Sequence, residues 1–309
     1  MLRLFAAPLQ GHTEAVWREE HLREYGEGVE YVTPFVRVEK GAPRQRDMRD
    51  FTSPANGDSN PEPQVIFKDM DELRLLLDAL VREGATRVNL NMGCPFPLQT
   101  GKGRGAGLLA APQRLDGLAE VMEQFRQLRF SAKMRLGFDD PTQWMGVMAR
   151  IGSLPLDYLA VHPRTARQQY SGPLATDQFE ALLQSTSLPV IFNGEIHTPA
   201  DIEAAAARWP GIAGVMAGRG LLARPSLFAE YLAGQELTHA TRLRRMVAFH
   251  DRVLAHYSRV LCGDTQILSK IKPFWEYAEE EIGHKAFKAI KKATTMAKYR
   301  AAVDSIREL

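Results

Sequence analysis

Residues 88–109 read VNLNMGCPFPLQTGKGRGAGLL. The stretch starts as a short apolar strand, turns on Gly93-Cys94-Pro95 and ends among glycines, and helical spacing follows from Pro112 to Leu128. That is one β/α unit. Gly93 and Pro95 leave the turn little freedom, so the Cys94 thiol is presented above the strand end, with Asn91 three residues upstream. A lone cysteine is commonly a small packing residue. What marks this one for chemistry is the rest of the chain.

The same unit repeats on both sides. Strand candidates are LRLFAAP (2–8), YVTPFVRV (31–38), PQVIF (63–67), RVNLN (87–91), SAKMRL (131–136), DYLAVH (157–162), PVIFNG (189–194) and AGVMAG (213–218). Helical spacing falls between most of them, at 12–25, 70–84, 143–151, 177–183 and 199–209. Residues 41–63 lack periodicity and read as a long loop, a length that is often functional. Eight near-continuous apolar strands alternating with helices predict an α/β fold, a (β/α)8 TIM barrel over residues 1–238. From 239 to 309 only helical periodicity remains, which predicts a small all-helical domain.

In such a barrel the residues that close the strands surround one mouth. Here they are polar: Gln64, Asn91, Lys133 with Arg135, His162, Asn193-Gly194-Glu195 and Gly218-Arg219-Gly220. Strand-end His and Asn-Gly have ordinary structural uses. A lysine inside an apolar strand is rarer, because an unpaired buried ammonium is costly, so Lys133 predicts an anionic partner. The glycine loops after the seventh and eighth strands lie where barrels of this kind hold phosphate, which suits a phosphorylated cofactor across the mouth.

With 45% hydrophobic and 25% charged residues the composition is that of a globular protein. Two cysteines exclude a disulfide framework, and no stretch resembles a signal peptide or a bilayer span, so a reducing, cytoplasmic setting is expected. The net charge of +2 is uneven: from Ala240 onward there are 14 Lys/Arg against 8 Asp/Glu. Lys285, Lys288 and Lys292 share one helix face, and Lys270 and Lys272 stand close together upstream. A solvated surface and a nucleic-acid footprint both fit that pattern. Trp275 and Tyr277 read as core residues, and nothing suggests a metal site.

These residues, in this order, resemble the tRNA-dihydrouridine synthases, and within them the bacterial C-type subfamily. The resemblance is carried by AAPLQG (6–11), Gln64, LNMGCP with its continuation to GAGLL, Lys133-Met134-Arg135, Val161-His162-Pro163-Arg164-Thr165, Asn193-Gly194-Glu195-Ile196 and Gly218-Arg219-Gly220. It implies that FMN is held by Pro8, Leu9, Gln64, Lys133, His162, Asn193, Gly194, Glu195, Gly218 and Arg219, with the phosphate at Gly218 and Arg219. It also implies that NADPH, or NADH, reduces FMN, that hydride then reaches C6 of a tRNA uracil, and that Cys94 protonates C5. Asn91 and Arg135 would contact the target nucleotide, and Arg37, Lys270, Lys272 and either Lys291 or Lys292 resemble the subfamily's tRNA-orienting positions, with the D-loop uridine at position 16 as target; the basic face of Lys285, Lys288 and Lys292 would add phosphate contacts. A monomer without metal is expected. The chain departs from the family pattern at Leu9 (usually Met), Pro34 (Glu in the subfamily), Phe96-Pro97-Leu98-Gln99 (often a Lys here) and Pro163 (Gly or Ala). The competing readings are an FMN barrel reductase acting on a small molecule and a non-catalytic tRNA-binding barrel.

Overall fold

The computed structural model describes residues 2–308. Its strands are β1 (Arg3–Ala6), β2 (Val29–Tyr31), β3 (Val36–Glu39), β4 (Ala42–Pro43), β5 (Gln64–Ile66), β6 (Arg87–Met92), β7 (Arg129–Gly137), β8 (Leu156–Thr165), β9 (Val190–Phe192) and β10 (Gly214–Ala217). They form one sheet in the order β2-β1-β10-β9-β8-β7-β6-β5-β3-β4, parallel except for the β3–β4 pair. β2, at one end of that order, and β3, next to the other end, belong to one stretch of chain interrupted around Pro34, which has no N–H to give to a ladder. Between them Val32 bridges Glu62 in parallel, and the Thr33 N–H donates to Glu62 O at 2.9 Å. The interrupted strand therefore pairs β1 on one side and β5 on the other, and the sheet closes as the expected barrel.

Side chains alternate across the barrel wall. Val88, Leu90 and Met92 of β6, and Phe130, Ala132, Met134 and Leu136 of β7, face the surrounding helices in the main apolar core. The interior has two halves. Phe5, Val32, Tyr158, Ala160, Ile191 and Met216 form an apolar cluster on one side. Glu62, Gln64, Asn89, Asn91 and Ser131 are buried on the other, bound to one another.

Two expectations are corrected. Residues 41–63 are ordered, with helix Gln45–Phe51 and a 3-10 turn Pro54–Ser59. Their anchor is polar: buried Arg18 donates to Asp50 Oδ2 at 2.9 Å and to Asn56 Oδ1 at 2.6 Å, so no apolar period marks the segment. The helix expected over 112–128 is a 3-10 turn, Pro112–Leu115, and a helix, Leu118–Gln124, separated at Gly117, whose φ is +87°.

Beyond β10, short helices Arg219–Ala223 and Leu227–Ala233 lead to helix His239–Val260. Its buried face, including Leu243, Met246, Val247, Phe249, His250 and Val253, keeps helical spacing. It packs on helix Ala15–Tyr25 through Trp17 and Phe249, flanked by Arg245–Glu24 and Arg252–Glu20 ion pairs at 2.9 and 2.6 Å. Helices Asp264–Ile271, Glu279–Ile282, His284–Lys292 and Met296–Arg307 complete the C-terminal layer, and one apolar cluster runs from it into the barrel helices. Trp275 is in that core, where its Nε1 donates to the Tyr299 hydroxyl at 2.9 Å. No helix among the described residues is long and apolar enough to cross a membrane.

Candidate active site

One cavity opens at the C-terminal ends of the strands. Cys94, Pro8, Leu9, Asn91, Lys133, Arg135, His162, Asn193, Gly194, Glu195, Gly218 and Arg219 line it, which brings together most of the residues expected there. Gln64 lies beneath them. It is fully buried, its Nε2 donates to Asn89 Oδ1 and its Oε1 accepts from Asn91 Nδ2, both at 2.7 Å.

The Cys94 turn is held from below. Asn91 Oδ1 accepts the Gly93 and Cys94 N–H groups at 3.1 and 2.9 Å, so this side chain is committed to the turn. The glycine-rich continuation packs on the other side, where a Cβ on Gly105 would come 2.9 Å from the Cβ and the carbonyl oxygen of Cys94. Gly105 also has φ +56°. Gly105→Ala is expected to cost about 2 kcal/mol for the left-handed backbone alone, read by denaturant unfolding, and to speed alkylation of Cys94 by loosening its turn. Unchanged stability and thiol reactivity would contradict this packing. Burial pushes the thiol up; the Phe96 N–H and the charges of Arg135, Lys133 and Arg37 pull against it without winning. Cys94 is therefore a protonated thiol at neutral pH.

Two cations share the floor with it. Lys133 has no hydrogen-bond acceptor and no carboxylate within 4 Å among the described residues. Burial and the neighbouring Arg135 charge bring its ammonium down to about 7. Arg135 is spent on backbone: it donates to Gly93 O at 3.1 Å, Thr165 O at 2.9 Å and Gln169 O at 2.6 Å, which ties the cysteine turn to the loop after β8. His162 is held well below its usual range by burial and by four surrounding cations, so its imidazole is neutral.

The far wall is built by β9, β10 and their loops. Asn193 Nδ2 donates to Met216 O at 2.7 Å, joining the two strand ends. Helix Arg219–Ala223 begins at Gly218, and its first-turn N–H groups have no intrahelical partner. A Cβ on Gly220 would stand 1.9 Å from Ile196 O, so only glycine lets this turn approach the loop after β9. Glu195 faces Arg164 at 2.5 Å and Arg219 at 3.6 Å. Burial pushes its carboxyl up, but hydrogen bonds from Arg164 and His197 and the two guanidinium charges outweigh that and leave it below the usual range. Arg164 reaches this place from a strand with one extra residue: Arg135 pairs with His162, but Gly137 pairs with Thr165.

Several lining residues were missed in the sequence. Tyr170 stacks under the Arg135 and Arg219 guanidiniums at 5.3 and 4.5 Å. Tyr277, expected in the core, is instead on the rim, beside His12 at 5.4 Å between ring centroids. It brings the C-terminal helices to the cavity. Phe96, half exposed two residues beyond Cys94, also lines the mouth.

The remaining basic residues stand outside. Arg37 is 3.6 Å from Asp47, and Lys270 is paired with Glu14 at 2.6 Å. Lys272 Nζ donates to Lys291 O at 3.0 Å. Lys285, Lys288, Lys291 and Lys292 are exposed on helix His284–Lys292, whose buried face is Ala286, Phe287 and Ile290, and none has a carboxylate within 4 Å among the described residues. No group of three or more His, Cys, Asp or Glu suited to a metal occurs among the described residues.

The chain is similar to several known proteins. It is 32% identical over 182 residues to a probable tRNA-dihydrouridine synthase of Rickettsia conorii, covering 58% of this chain and 54% of that protein. It is 29% identical over 233 residues to a tRNA-dihydrouridine(16) synthase of Neisseria meningitidis, covering 73% of this chain and 69% of that one. The chain thus spans about half the length of the rickettsial relative. Among solved structures, a morphinone reductase variant in complex with tetrahydroNAD has a TM-score of 0.53 at 13% identity, covering 76% of this chain and 87% of that one, a likeness of fold. The dihydrouridine synthase family model matches residues 5–307, from within β1 to the end of the last helix, and the chain belongs to that family.

Proposed function

We propose that this protein is a cytoplasmic tRNA-dihydrouridine synthase that uses FMN and NADPH, or NADH, to reduce the C5–C6 double bond of a D-loop uridine. The observation that carries this reading is the pairing of a buried, protonated Cys94 thiol with a carboxylate-free Lys133 on one cavity floor. FMN fits what surrounds them. Lys133 lacks an anion, Gly218 opens a helix turn suited to phosphate, and Ala7, Pro8, Leu9 and Met216 give an apolar wall for a ring system. When bound, FMN supplies two-electron transfer from the nicotinamide to the uracil.

The protein supplies the rest. Lys133 offers positive charge to an anionic ring, His162 and Asn193 line the same side, and Glu195 with Arg164 and Arg219 shapes the phosphate corner. Cys94 gives its Sγ proton to C5 as negative charge develops on the pyrimidine. The thiolate left behind is met by the Phe96 N–H and by the charges of Arg135, Lys133 and Arg37. A stacked uridine cannot reach this floor, so the base must be turned out of the tRNA.

The division at residue 238, with tRNA held by the helices beyond it and the protein acting as a monomer, is part of the proposal. Tyr277 on the rim and the unpaired lysines of helix His284–Lys292 support it. Reversing Lys285, Lys288 and Lys292 together is expected to weaken tRNA binding at least about tenfold and to lower the slope of log affinity against log salt by about 2. Filter binding over a salt series reads both, and unchanged binding would make this face ordinary solvated surface. Position 16 is the proposed target, because the relatives named for it match over 233 residues. Incubation with NADPH and unmodified tRNA transcript, followed by position mapping, should give dihydrouridine at that position. Reduction of a small enone or orotate without any dihydrouridine would instead favour the small-molecule reductase.

A further inference from the structure

A continuous chain of buried hydrogen bonds runs from the bottom of the barrel to the Cys94 turn. At its lower end both Glu62 oxygens accept, Oε1 from the Ser131 hydroxyl at 2.7 Å and Oε2 from the Tyr158 hydroxyl. Asn89 Nδ2 donates to those two hydroxyls at 2.7 and 3.2 Å. Gln64 Nε2 donates to Asn89 Oδ1, and Asn91 Nδ2 donates to Gln64 Oε1. At the top, Asn91 Oδ1 accepts the Gly93 and Cys94 N–H groups. Every link points the same way.

That polarity is set at both ends, by the two backbone N–H donors above and by a carboxylate below. Burial pushes the Glu62 carboxyl up, and the Tyr158 and Ser131 hydroxyls and the Arg87 charge pull it down; as a carboxylate it has no hydrogen to give, so Ser131 and Tyr158 both donate down to it and can only accept from above. Asn89 must then present Nδ2 to them and Oδ1 upward, which turns Gln64, and Gln64 turns Asn91. With the opposite polarity Asn91 would present an amide donor to two backbone donors, and the turn that carries the thiol would lose its support. We propose that Glu62, at the opposite end of the barrel interior, is a positioning residue for Cys94: it orients the Asn89, Gln64 and Asn91 amides so that an acceptor faces the turn. This rests on the reading of Cys94 as proton donor, but the geometry it concerns is testable without that reading.

The test uses the full-length holoenzyme with Glu62→Gln, which keeps the shape and replaces one acceptor by a donor. Flavin reduction by NADPH should stay within about twofold, while tRNA-dependent flavin reoxidation slows about tenfold, as for loss of one buried hydrogen bond. Iodoacetamide alkylation of Cys94, measured without tRNA or NADPH, should speed up several-fold as the turn loosens. The discriminating background is Asn91→Asp, because a carboxylate at 91 offers the turn an acceptor whichever way it is turned. That carboxylate also needs a donor from Gln64, an orientation that Glu62 opposes and a glutamine in its place permits, so there Glu62→Gln should neither slow reoxidation nor speed alkylation. Equal effects of Glu62→Gln in both backgrounds, or no change in the alkylation rate, would overturn the proposal. If no dihydrouridine forms even in the parent protein, the alkylation arm still decides it. Should Glu62→Gln fail to fold, Ser131→Ala with Tyr158→Phe removes both hydroxyls that pass the polarity of Glu62 to Asn89 and should shift alkylation in the same direction, and an unshifted rate would overturn the proposal.

Discussion

Cys94→Ala should abolish dihydrouridine formation, lowering it by about 10²- to 10⁴-fold, the usual span for loss of a general acid. Nicotinamide-driven flavin reduction should be nearly unchanged. The two halves separate because Cys94 stands on a turn fixed by Asn91 and Arg135, whereas the cavity wall at Gly194 and Gly218 is built by other strands. Alanine keeps the turn, since Asn91 binds backbone N–H groups and not the thiol. Serine at 94 should be nearly as inactive, because its hydroxyl is a far weaker acid. Single-turnover assays with reduced enzyme and tRNA transcript measure the loss. Dihydrouridine formed by Cys94→Ala at the parent rate would remove Cys94 from the chemistry.

Lys133→Met should have the next largest effect, and pH makes it specific. In the free protein the Lys133 ammonium loses its proton at about 7. The anionic ring of reduced FMN beside it raises that value, so binding takes up a proton at higher pH. The sign follows: affinity for reduced FMN is full below the free value and falls as pH rises through it. Between pH 7.0 and 8.5 the dissociation constant for reduced FMN of the parent protein should rise about tenfold. Lys133→Met should bind reduced FMN more weakly at pH 7.0 and lose most of this pH dependence. Anaerobic titration of reduced FMN into the apoprotein, followed by protein fluorescence, reads both. A flat profile in the parent protein would show that Lys133 does not face the anionic ring.

The barrel was legible because its strands carry their two faces openly. In RVNLN and SAKMRL the alternate residues Asn89, Asn91, Ser131, Lys133 and Arg135 point into the barrel, and their apolar neighbours point out to the helices. Cys94 and Lys133 were legible for local reasons, a constrained turn and a charge in a strand. The rest depended on partners far along the chain. Ordering of residues 45–59 comes from Arg18, which has no period to betray it. Gln64 and Asn91 are strand-end polar residues that could equally face a ligand, and only the closed barrel shows them bound to each other. Lys270 looks like a free cation until Glu14, 256 residues away, is placed beside it. Tyr277 lies two residues after buried Trp275 and just before buried Ala278, yet the turn after Trp275 carries it to the cavity rim.

The most direct test of the account is anaerobic. The protein would be loaded with FMN, reduced with one equivalent of NADPH, freed of nicotinamide and mixed with unmodified tRNA transcript while the flavin absorbance is followed. The account predicts that tRNA reoxidises the flavin, with one dihydrouridine formed for each flavin oxidised. A flavin that stays reduced with tRNA but is reoxidised by oxygen or a small enone would contradict it.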